Sequence, residues 1–230
     1  MTTETPPLTA LSLTHVQFDA SDKIAYLFAY ITLAPIFIVV GYVTTILARR
    51  EITTINMFIG QIACEALNGV LKSLMKEKRP TDKLGKGYGM PSNHAQFIGF
   101  FTMFSVLYLY RRIKFQQNAW KHLIALGLLG FAGAVSCSRV YLNYHTPKQV
   151  LVGIAFGATF AIMWYFFIEH ILRPRQLFKV IVDSPIAKFF YLRDSANIQD
   201  VVRFEYLNWV AFENELKKRG EKDDGGMKID

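Results

Sequence analysis

Residues 24–48, IAYLFAYITLAPIFIVVGYVTTILA, form a run without a single charged side chain. As an α-helix this run would extend about 37 Å, which is enough to cross the hydrocarbon core of a bilayer with some tilt. Arg49, Arg50 and Glu51 follow at once and end the apolar run. The stretch therefore predicts a membrane-spanning helix, and the remainder of the chain is interpreted relative to a membrane.

Four further apolar segments follow the first and are separated from one another by polar connections. They cover residues 52–74, 93–110, 122–137 and 150–172. The pattern predicts an all-α, polytopic membrane helix bundle of five spans, or six if part of the C-terminal tail re-enters the membrane.

Composition divides the chain into three regions. Residues 1–23 are an N-terminal segment with acidic residues and no basic stretch before an apolar run, so a cleaved signal peptide is not expected. Residues 24–172 form the transmembrane domain. Residues 173–230 mix charged and aromatic residues, as in AKFFYLRD, which predicts a partly helical C-terminal tail rather than a linker.

The charge balance of the chain fits a membrane protein. The 230 residues have a formal net charge of +8, and 52% of them are hydrophobic. Many of the basic residues flank apolar runs, as topology signals and sites for anionic lipid headgroups do, so nucleic acid is not expected as a partner. Cys64 and Cys137 lie inside apolar segments and are interpreted as small core residues without a metal or disulfide role.

Five spans divide the connections between two membrane faces. The N-terminal segment shares one face with the loops at residues 76–91 and 138–149. The connections at 49–51 and 111–121 share the other face with the tail. Basic residues are concentrated on that second face, which the positive-inside rule assigns to the cytoplasm.

Three motifs fall on the first face. They are Lys72 to Arg79-Pro80, Pro91-Ser92-Asn93-His94, and Ser138-Arg139 to His145. Lys72 and Arg79 are two helical turns apart, so both are expected to project from one side of the end of the second helix. Ser92 or Asn93 is expected to cap the third span, whose free backbone N–H groups would then form a seat for phosphate.

These residue types suit phosphoryl transfer. Lysine and arginine neutralise the non-bridging oxygens of a phosphate, and arginine binds two of them at once. One histidine can attack phosphorus while the other protonates the leaving oxygen. The chain has no cluster of carboxylates suited to a metal ion, and no cofactor or metal is expected.

The order and spacing of the three motifs resemble the type 2 phosphatidic acid phosphatase superfamily. Several longer stretches look like the dolichyl-diphosphatase family within it: LTHVQF, YGMPSNHAQF at 88–97, SRVYLNYHT at 138–146 and FFYLRD at 189–194. The resemblance implies an enzyme of the endoplasmic reticulum membrane. Its reaction would be hydrolysis of dolichyl diphosphate to dolichyl phosphate and inorganic phosphate, which recycles the lipid carrier used in N-glycosylation.

The resemblance also implies a role for each motif residue. His145 matches the nucleophile that becomes phosphohistidine, and His94 matches the general acid. The phosphate-binding positions of the superfamily are matched by Lys72, Arg79, Ser92 and Arg139. Residues 24–172 would then be a transmembrane phosphatase domain with its active site on the lumenal face and its tail in the cytoplasm.

Two positions depart from the broad superfamily. Asn93 stands where glycine is usual, and Gln149 stands where an aspartate usually follows the nucleophile by four residues. An amide carbonyl can orient an imidazole but adds no charge to stabilise its protonated form. The dolichyl-diphosphatase branch is understood to have glutamine here, so Gln149 is interpreted as a marker of that branch.

Two supporting residues and two other functions remain open from the sequence. Glu65 shares a helical face with Lys72 and is expected either to pair with it, to orient a catalytic residue or to be structural. Ser138 either supports the site or ends its helix. A general lipid phosphate phosphatase acting on phosphatidate or sphingoid phosphates is the alternative within this chemistry, and a non-catalytic membrane scaffold is the alternative outside it.

Overall fold

The protein is described by a computed structural model. It describes residues 16–19, 21–81, 87–115, 117–198 and 200–225, with side chains to residue 219. Most of the N-terminal segment expected at residues 1–23, and with it part of the LTHVQF stretch, lies outside the described residues.

The described residues fold into helices, with two isolated β-bridges and no strand. The helices are α1 (Lys23–Ile31), α2 (Ala34–Arg49), α3 (Ile52–Met75), α4 (Asn93–Arg112), α5 (Ala119–Tyr141), α6 (Pro147–Phe166) with a π-helical continuation (Phe167–Leu172), α7 (Leu177–Asp183), α8 (Pro185–Phe189) and α9 (Val201–Gly225). The predicted all-α bundle with a partly helical tail is confirmed.

Three helical stretches of the described chain are long and apolar enough to cross a membrane by length and composition. They are Lys23–Arg49, Ala119–Tyr141 and Pro147–Leu172. Helices α3 and α4, at 24 and 20 residues, would extend about 36 and 30 Å but include more polar side chains. The outer surface remains apolar: Phe37, Leu126 and Leu151 are each about two-thirds exposed, as expected where lipid replaces water.

The first predicted span is two helices rather than one. Pro35 has no backbone N–H, and in a continuous helix its ring would clash with the carbonyl of the residue four positions earlier, Ile31. Helix α1 ends at that residue, and α2 begins after the Thr32–Leu33 turn. The break turns Thr32 into the bundle, where it is 1% exposed.

Helix α4 lies at the centre of the bundle and packs against α3, α5 and α6. Its contact with α6 is close because glycines face it: a Cβ on Gly153 would lie 2.8 Å from the Ser92 carbonyl oxygen, and one on Gly157 would overlap the Gln96 carbonyl oxygen. Gln96 also joins α4 to α3, accepting from Asn68 Nδ2 at 2.7 Å and donating to the Cys64 carbonyl at 2.9 Å. Cys64 is fully buried in the core, as predicted, but the same prediction for Cys137 was wrong, because Cys137 lies on the exposed surface of α5.

The tail packs at the end of the bundle where α2 ends and α3 begins. Glu51 accepts from the Ser195 backbone N–H at 2.6 Å and pairs with Arg193 at 3.3 Å. Glu205 of α9 pairs with Arg193 and with Arg49.

A second ion-pair cluster lies at the same end of the bundle. Glu169, in the π-helical turn, pairs with Arg112 of α4 and with Arg173, and Arg173 also pairs with Asp194 at 2.8 Å. The two clusters hold α7, α8 and the start of α9 against the bundle.

The Gly157 contact yields a stability prediction. Gly157→Ala forces a methyl group against the Gln96 carbonyl, and overpacking of this kind costs about 1–3 kcal/mol. We expect a lower midpoint of thermal unfolding in detergent. Gly133→Ala, on α5 with nothing within 4 Å of the added Cβ, is the matched control and should not lower the midpoint. Equal midpoints for the two variants would contradict the close α4–α6 contact.

Candidate active site

Four helix ends meet at the end of the bundle opposite the tail. They are the C-terminal ends of α3 and α5 and the N-terminal ends of α4 and α6. Backbone hydrogen bonds join the connections there: Ser92 N–H donates to the Gln149 carbonyl at 3.1 Å, and Gly89 N–H donates to the Glu77 carbonyl at 2.7 Å. The three sequence motifs are therefore brought to one place.

His145 lies in the tight connection between α5 and α6. Asn143 takes a left-handed conformation (φ 58°), which asparagine tolerates better than most residues. The chain then turns back, so that the N–H groups of Tyr144 and His145 both donate to the Arg139 carbonyl at 3.1 Å. The third motif is thus held by its own backbone, with His145 and Arg139 side by side.

Gln149 determines which nitrogen of His145 carries the proton. Its Oε1 accepts from the Thr146 backbone N–H at 3.3 Å, completing a capping box at the start of α6, and its Nε2 donates to the Lys78 carbonyl at 2.8 Å. Since a backbone N–H only donates and a carbonyl only accepts, the amide can face only one way. Nδ1 of His145, 3.2 Å from that Oε1, is therefore the donor, and Nε2 holds the free lone pair.

The His145 ring is neutral at physiological pH. It is 4% exposed, and burial lowers its pKa to about 4, with the Arg139 charge acting in the same direction and the Gln149 hydrogen bond opposing both. A neutral imidazole with its lone pair on Nε2 is the form in which histidine is a nucleophile.

Arg139 is held rigidly beside His145. It is 5% exposed, donates through Nη1 to the Thr32 hydroxyl and lies 4.0 Å over the Tyr144 ring. The Tyr144 hydroxyl accepts from the Gln17 backbone N–H at 2.7 Å, so the N-terminal segment is attached to the same loop. In the described chain, Arg139 Nε has no hydrogen-bond partner.

His94 lies in the first turn of α4 and is half-buried. The Thr32 backbone is within hydrogen-bonding reach of its ring, and it interacts electrostatically with Arg139, His145 and Lys72. The structure therefore brings the two predicted histidines into one site.

Lys72 and Arg79 reach the site by different routes from the one predicted. The prediction that both project from a single helix was wrong, because Lys76 takes a left-handed conformation (φ 51°) and ends α3 at Met75. Lys72 extends from the last turn of α3, whereas Arg79 approaches through the following loop. Arg79 still interacts electrostatically with Lys72, Arg139 and His145.

Three converging cations repel one another, and a bound anion relieves that repulsion. Ser92 is the N-cap residue of α4, as predicted, but its side chain makes no capping bond. Its hydroxyl and Asn93 Oδ1 are buried without a hydrogen-bond partner in the described chain. The start of α4 therefore offers N–H groups and a hydroxyl beside the cations, which is an arrangement that seats phosphate.

The supporting residues have separate roles in the structure. Ser138 donates to the Val135 carbonyl of its own helix at 2.6 Å and is fully buried, so its hydroxyl hydrogen is already used. Glu65 is half-buried and interacts electrostatically with Lys72. In the described chain it forms no ion pair within 4 Å.

Two site residues were missed by the sequence reasoning. Thr32 anchors Arg139, and the signal was Pro35, which predicts a helix break beside a hydroxyl side chain in an otherwise apolar run. Glu77 accepts from Gln149 Nε2 at 3.1 Å, and the signal was a single carboxylate in the basic sequence KEKRP.

Among the described residues no group of three histidine, cysteine, aspartate or glutamate side chains could hold a metal ion. The arrangement instead combines a neutral histidine whose Nε2 lone pair is available, a second histidine, three cations and a helix N-terminus. Chemically, this set can bind a phosphate, accept it on a nitrogen and protonate the departing oxygen.

Comparison with known proteins identifies the family. Residues 53–172 match the model of the PAP2 superfamily. Dolichyldiphosphatase 1 of Homo sapiens is 41% identical over 223 residues, covering 92% of this chain and 93% of the relative. The chain belongs to the dolichyldiphosphatase family of the PAP2 superfamily.

Other members of the dolichyldiphosphatase family match to a similar extent. Dolichyldiphosphatase 1 of Dictyostelium discoideum is 43% identical, covering 87% of this chain and 89% of the relative, and the dolichyldiphosphatase of Saccharomyces cerevisiae is 32% identical, covering 91% and 90%. No solved structure matches the chain. The PAP2 match includes every predicted site residue from Glu65 to Gln149, whereas Thr32 lies outside it.

The His145 environment yields a pH prediction. A free imidazole has a pKa of about 6.5. Burial beside Arg139 lowers the pKa of His145 to about 4, so its ring stays neutral as the pH falls to that value. In NMR spectra of histidine-labelled protein, the resonance that disappears in His145→Gln should keep its neutral chemical shift at pH 5.5. A midpoint above pH 6 for that resonance would contradict the buried, cation-flanked position.

Proposed function

We propose that this enzyme hydrolyses dolichyl diphosphate to dolichyl phosphate and inorganic phosphate through a phosphohistidine at His145. The observation that carries the proposal is the Gln149 amide, which holds the proton of His145 on Nδ1 and leaves the Nε2 lone pair free beside Lys72, Arg79 and Arg139. The substrate is taken from the relatives, which are dolichyldiphosphatases by name.

In the first step Nε2 of His145 attacks the terminal phosphorus. The N–P bond forms as the anhydride P–O bond breaks, and the bonding electrons leave with the oxygen of dolichyl phosphate. His94 takes up a proton when the anionic substrate neutralises the cations beside it, and it donates that proton to the leaving oxygen. In the second step water attacks the same phosphorus, His94 takes a proton from the water, and the N–P bond breaks to release phosphate and neutral His145.

The remaining predicted residues bind the phosphoryl group. Lys72, Arg79 and Arg139 neutralise its non-bridging oxygens, whose negative charge must be balanced in the transition state. Ser92 donates its hydroxyl, which has no partner among the described residues, and the N–H groups at the start of α4 complete the phosphate site. Asn93, the first residue of α4, has a buried Oδ1 that is likewise without a partner among the described residues.

Gln149 in place of aspartate is compatible with a diphosphate substrate. The leaving group from dolichyl diphosphate is a phosphate monoester, which is far less basic than the alkoxide expelled from a monophosphate. An easily expelled group demands less of the nucleophile and of the acid. A general phosphatase of phosphatidate or sphingoid phosphates, the alternative, must expel an alkoxide.

We also infer where the enzyme acts. Counting α1–α2 as one crossing, five crossings put the active-site end and the N-terminal segment on one side of the membrane and the tail on the other. The proposal places the site in the lumen of the endoplasmic reticulum and residues 173–230 in the cytoplasm. Support comes from the basic residues at the tail end, which include Arg49, Arg50, Arg111 and Arg112. The transmembrane phosphatase domain is residues 24–172.

Turnover by purified enzyme tests the reaction and the two histidine roles together. Wild type should release phosphate from dolichyl diphosphate in detergent, and excess chelator should not abolish the release. His145→Ala should abolish both turnover and the trapped phosphohistidine. His94→Ala should lower kcat by about 10²- to 10⁴-fold, and less for a diphosphate than for a monophosphate if both react.

Three results would overturn this assignment. A phosphohistidine trapped on His145→Ala would show that another residue is the nucleophile. Chelator inactivation reversed by magnesium would show that a metal is required. Faster turnover of phosphatidate than of dolichyl diphosphate would favour the general phosphatase, and no turnover of either lipid would favour a scaffold.

Sidedness is tested with single introduced cysteines in a Cys137→Ser background. Ser21→Cys lies at the active-site end and Asn118→Cys at the tail end, and both positions are exposed. In sealed microsomes an impermeant thiol reagent should label Asn118→Cys directly and Ser21→Cys only after the membrane is permeabilised. The reverse pattern would invert the topology. Direct labelling of both would exclude an odd number of membrane crossings between residues 21 and 118.

A further inference from the structure

Glu77 is fixed at the active-site end of the bundle but takes no direct part in the proposed reaction. It follows the end of α3, and its carboxylate accepts two hydrogen bonds. Oε1 accepts from Gln149 Nε2 at 3.1 Å, and Oε2 accepts from Lys148 Nζ at 3.0 Å. These bonds lower the pKa of Glu77, Lys148 having the largest effect and Gln149 the next, so the group is ionised at neutral pH.

Gln149 connects this carboxylate to the nucleophile. One end of its amide donates to Glu77, and the other end accepts from His145 Nδ1. The amide is fully buried, and its oxygen and nitrogen form hydrogen bonds with four groups. It therefore keeps a single orientation, and a change of charge at Glu77 is transmitted to the imidazole through it.

We propose that Glu77 is a positioning residue whose carboxylate polarises the Gln149 amide and so stabilises the positive charge that His145 acquires on phosphorylation. The proposal rests on the proposed function for the identity of the reaction. It answers a question that the sequence left open, which is where the counter-charge lies when an amide occupies the usual aspartate position. Glu77 supplies a carboxylate in place of that aspartate, with the Gln149 side chain between it and the ring.

The physical basis is cooperative hydrogen bonding. A carboxylate that accepts from an N–H pushes electron density toward the amide nitrogen. Conjugation passes this density to the carbonyl oxygen and strengthens the bond that this oxygen accepts. The effect is largest when the ring is positive, because the bond from an imidazolium is charge-assisted. Glu77 therefore acts more on the transition state than on bound substrate.

The other charges around His145 make such a counter-charge useful. Arg139 from α5, Arg79 from the loop, Lys72 from α3 and the titratable His94 from α4 all interact with the ring electrostatically. The cations all oppose a positive ring. Glu77 provides negative charge through Gln149 from the side of the ring opposite the attacking nitrogen.

The first measurement is steady-state turnover of dolichyl diphosphate by Glu77→Gln. This variant keeps an oxygen that accepts from Gln149 but removes the charge. We expect kcat to fall about tenfold, equal to about 1.4 kcal/mol in the barrier, with KM within about twofold because phosphate binding is unaffected. Glu205→Gln is the control, since Glu205 likewise accepts two hydrogen bonds, from Arg49 and Arg193, and its side chain is 31% exposed against 33% for Glu77.

A double-variant cycle separates positioning from loop stability. If Glu77 acts through Gln149, adding Glu77→Gln to Gln149→Ala should cause little further loss of kcat, because the connecting amide is already gone. If the Glu77–Lys148 pair only anchors the loop, the two losses should multiply. Multiplied losses would overturn the proposal.

The NMR titration of His145 gives a readout independent of substrate. A nearby carboxylate favours the imidazolium, so removing its charge in Glu77→Gln should move the midpoint of His145 to lower pH. An unchanged midpoint together with unchanged kcat would overturn the proposal. If wild-type enzyme fails to hydrolyse dolichyl diphosphate, the proposed function fails, and the shift of the midpoint alone decides whether Glu77 acts on His145.

Discussion

The active-site end depends on one buried amide in a single orientation. Gln149 completes the capping box that begins α6, accepts from His145 and donates to the loop after α3. Because the Thr146 N–H can only donate and the Lys78 carbonyl can only accept, turning the amide over would break both bonds at once in a place that water does not reach. The start of α6, the tautomer of His145 and the position of the loop after α3 are therefore set by the same group.

The bundle supports this amide through close backbone contacts. Gly153 allows α6 to approach the Ser92 carbonyl, and Ser92 N–H bonds to the backbone of Gln149. The helix break before Pro35 adds a further support for the site, since it turns the Thr32 hydroxyl toward Arg139. Precise placement of charged groups in a membrane protein requires such backbone contacts, because apolar packing among lipid-facing helices is a weak driving force. The tail is held by ion pairs at the far end and leaves the site untouched.

Much of the fold and most of the site could be predicted from the sequence. Long uncharged runs predict membrane helices without reference to any partner, since the bilayer sets their length. The His94 motif begins α4 and the His145 motif follows the end of α5. Because successive connections lie on alternate faces of the membrane, counting them was sufficient to bring both motifs to one face. The helical relation between Lys72 and Arg79 was wrong because a left-handed residue at Lys76 ended the helix early, and no periodic pattern reveals where a helix end will unwind.

The sequence by itself determined the all-helical membrane bundle, the order of the motifs and the chemical types of the proposed catalytic groups, because these depend on local composition and spacing. Tertiary structure decided which nitrogen of His145 is free, which hydroxyl anchors Arg139 and which carboxylate lies behind Gln149. Glu77 and Gln149 are far apart in the chain yet joined by a 3.1 Å hydrogen bond. Hydrogen bonds act over about 3 Å and depend on angle, so only the packed fold establishes them.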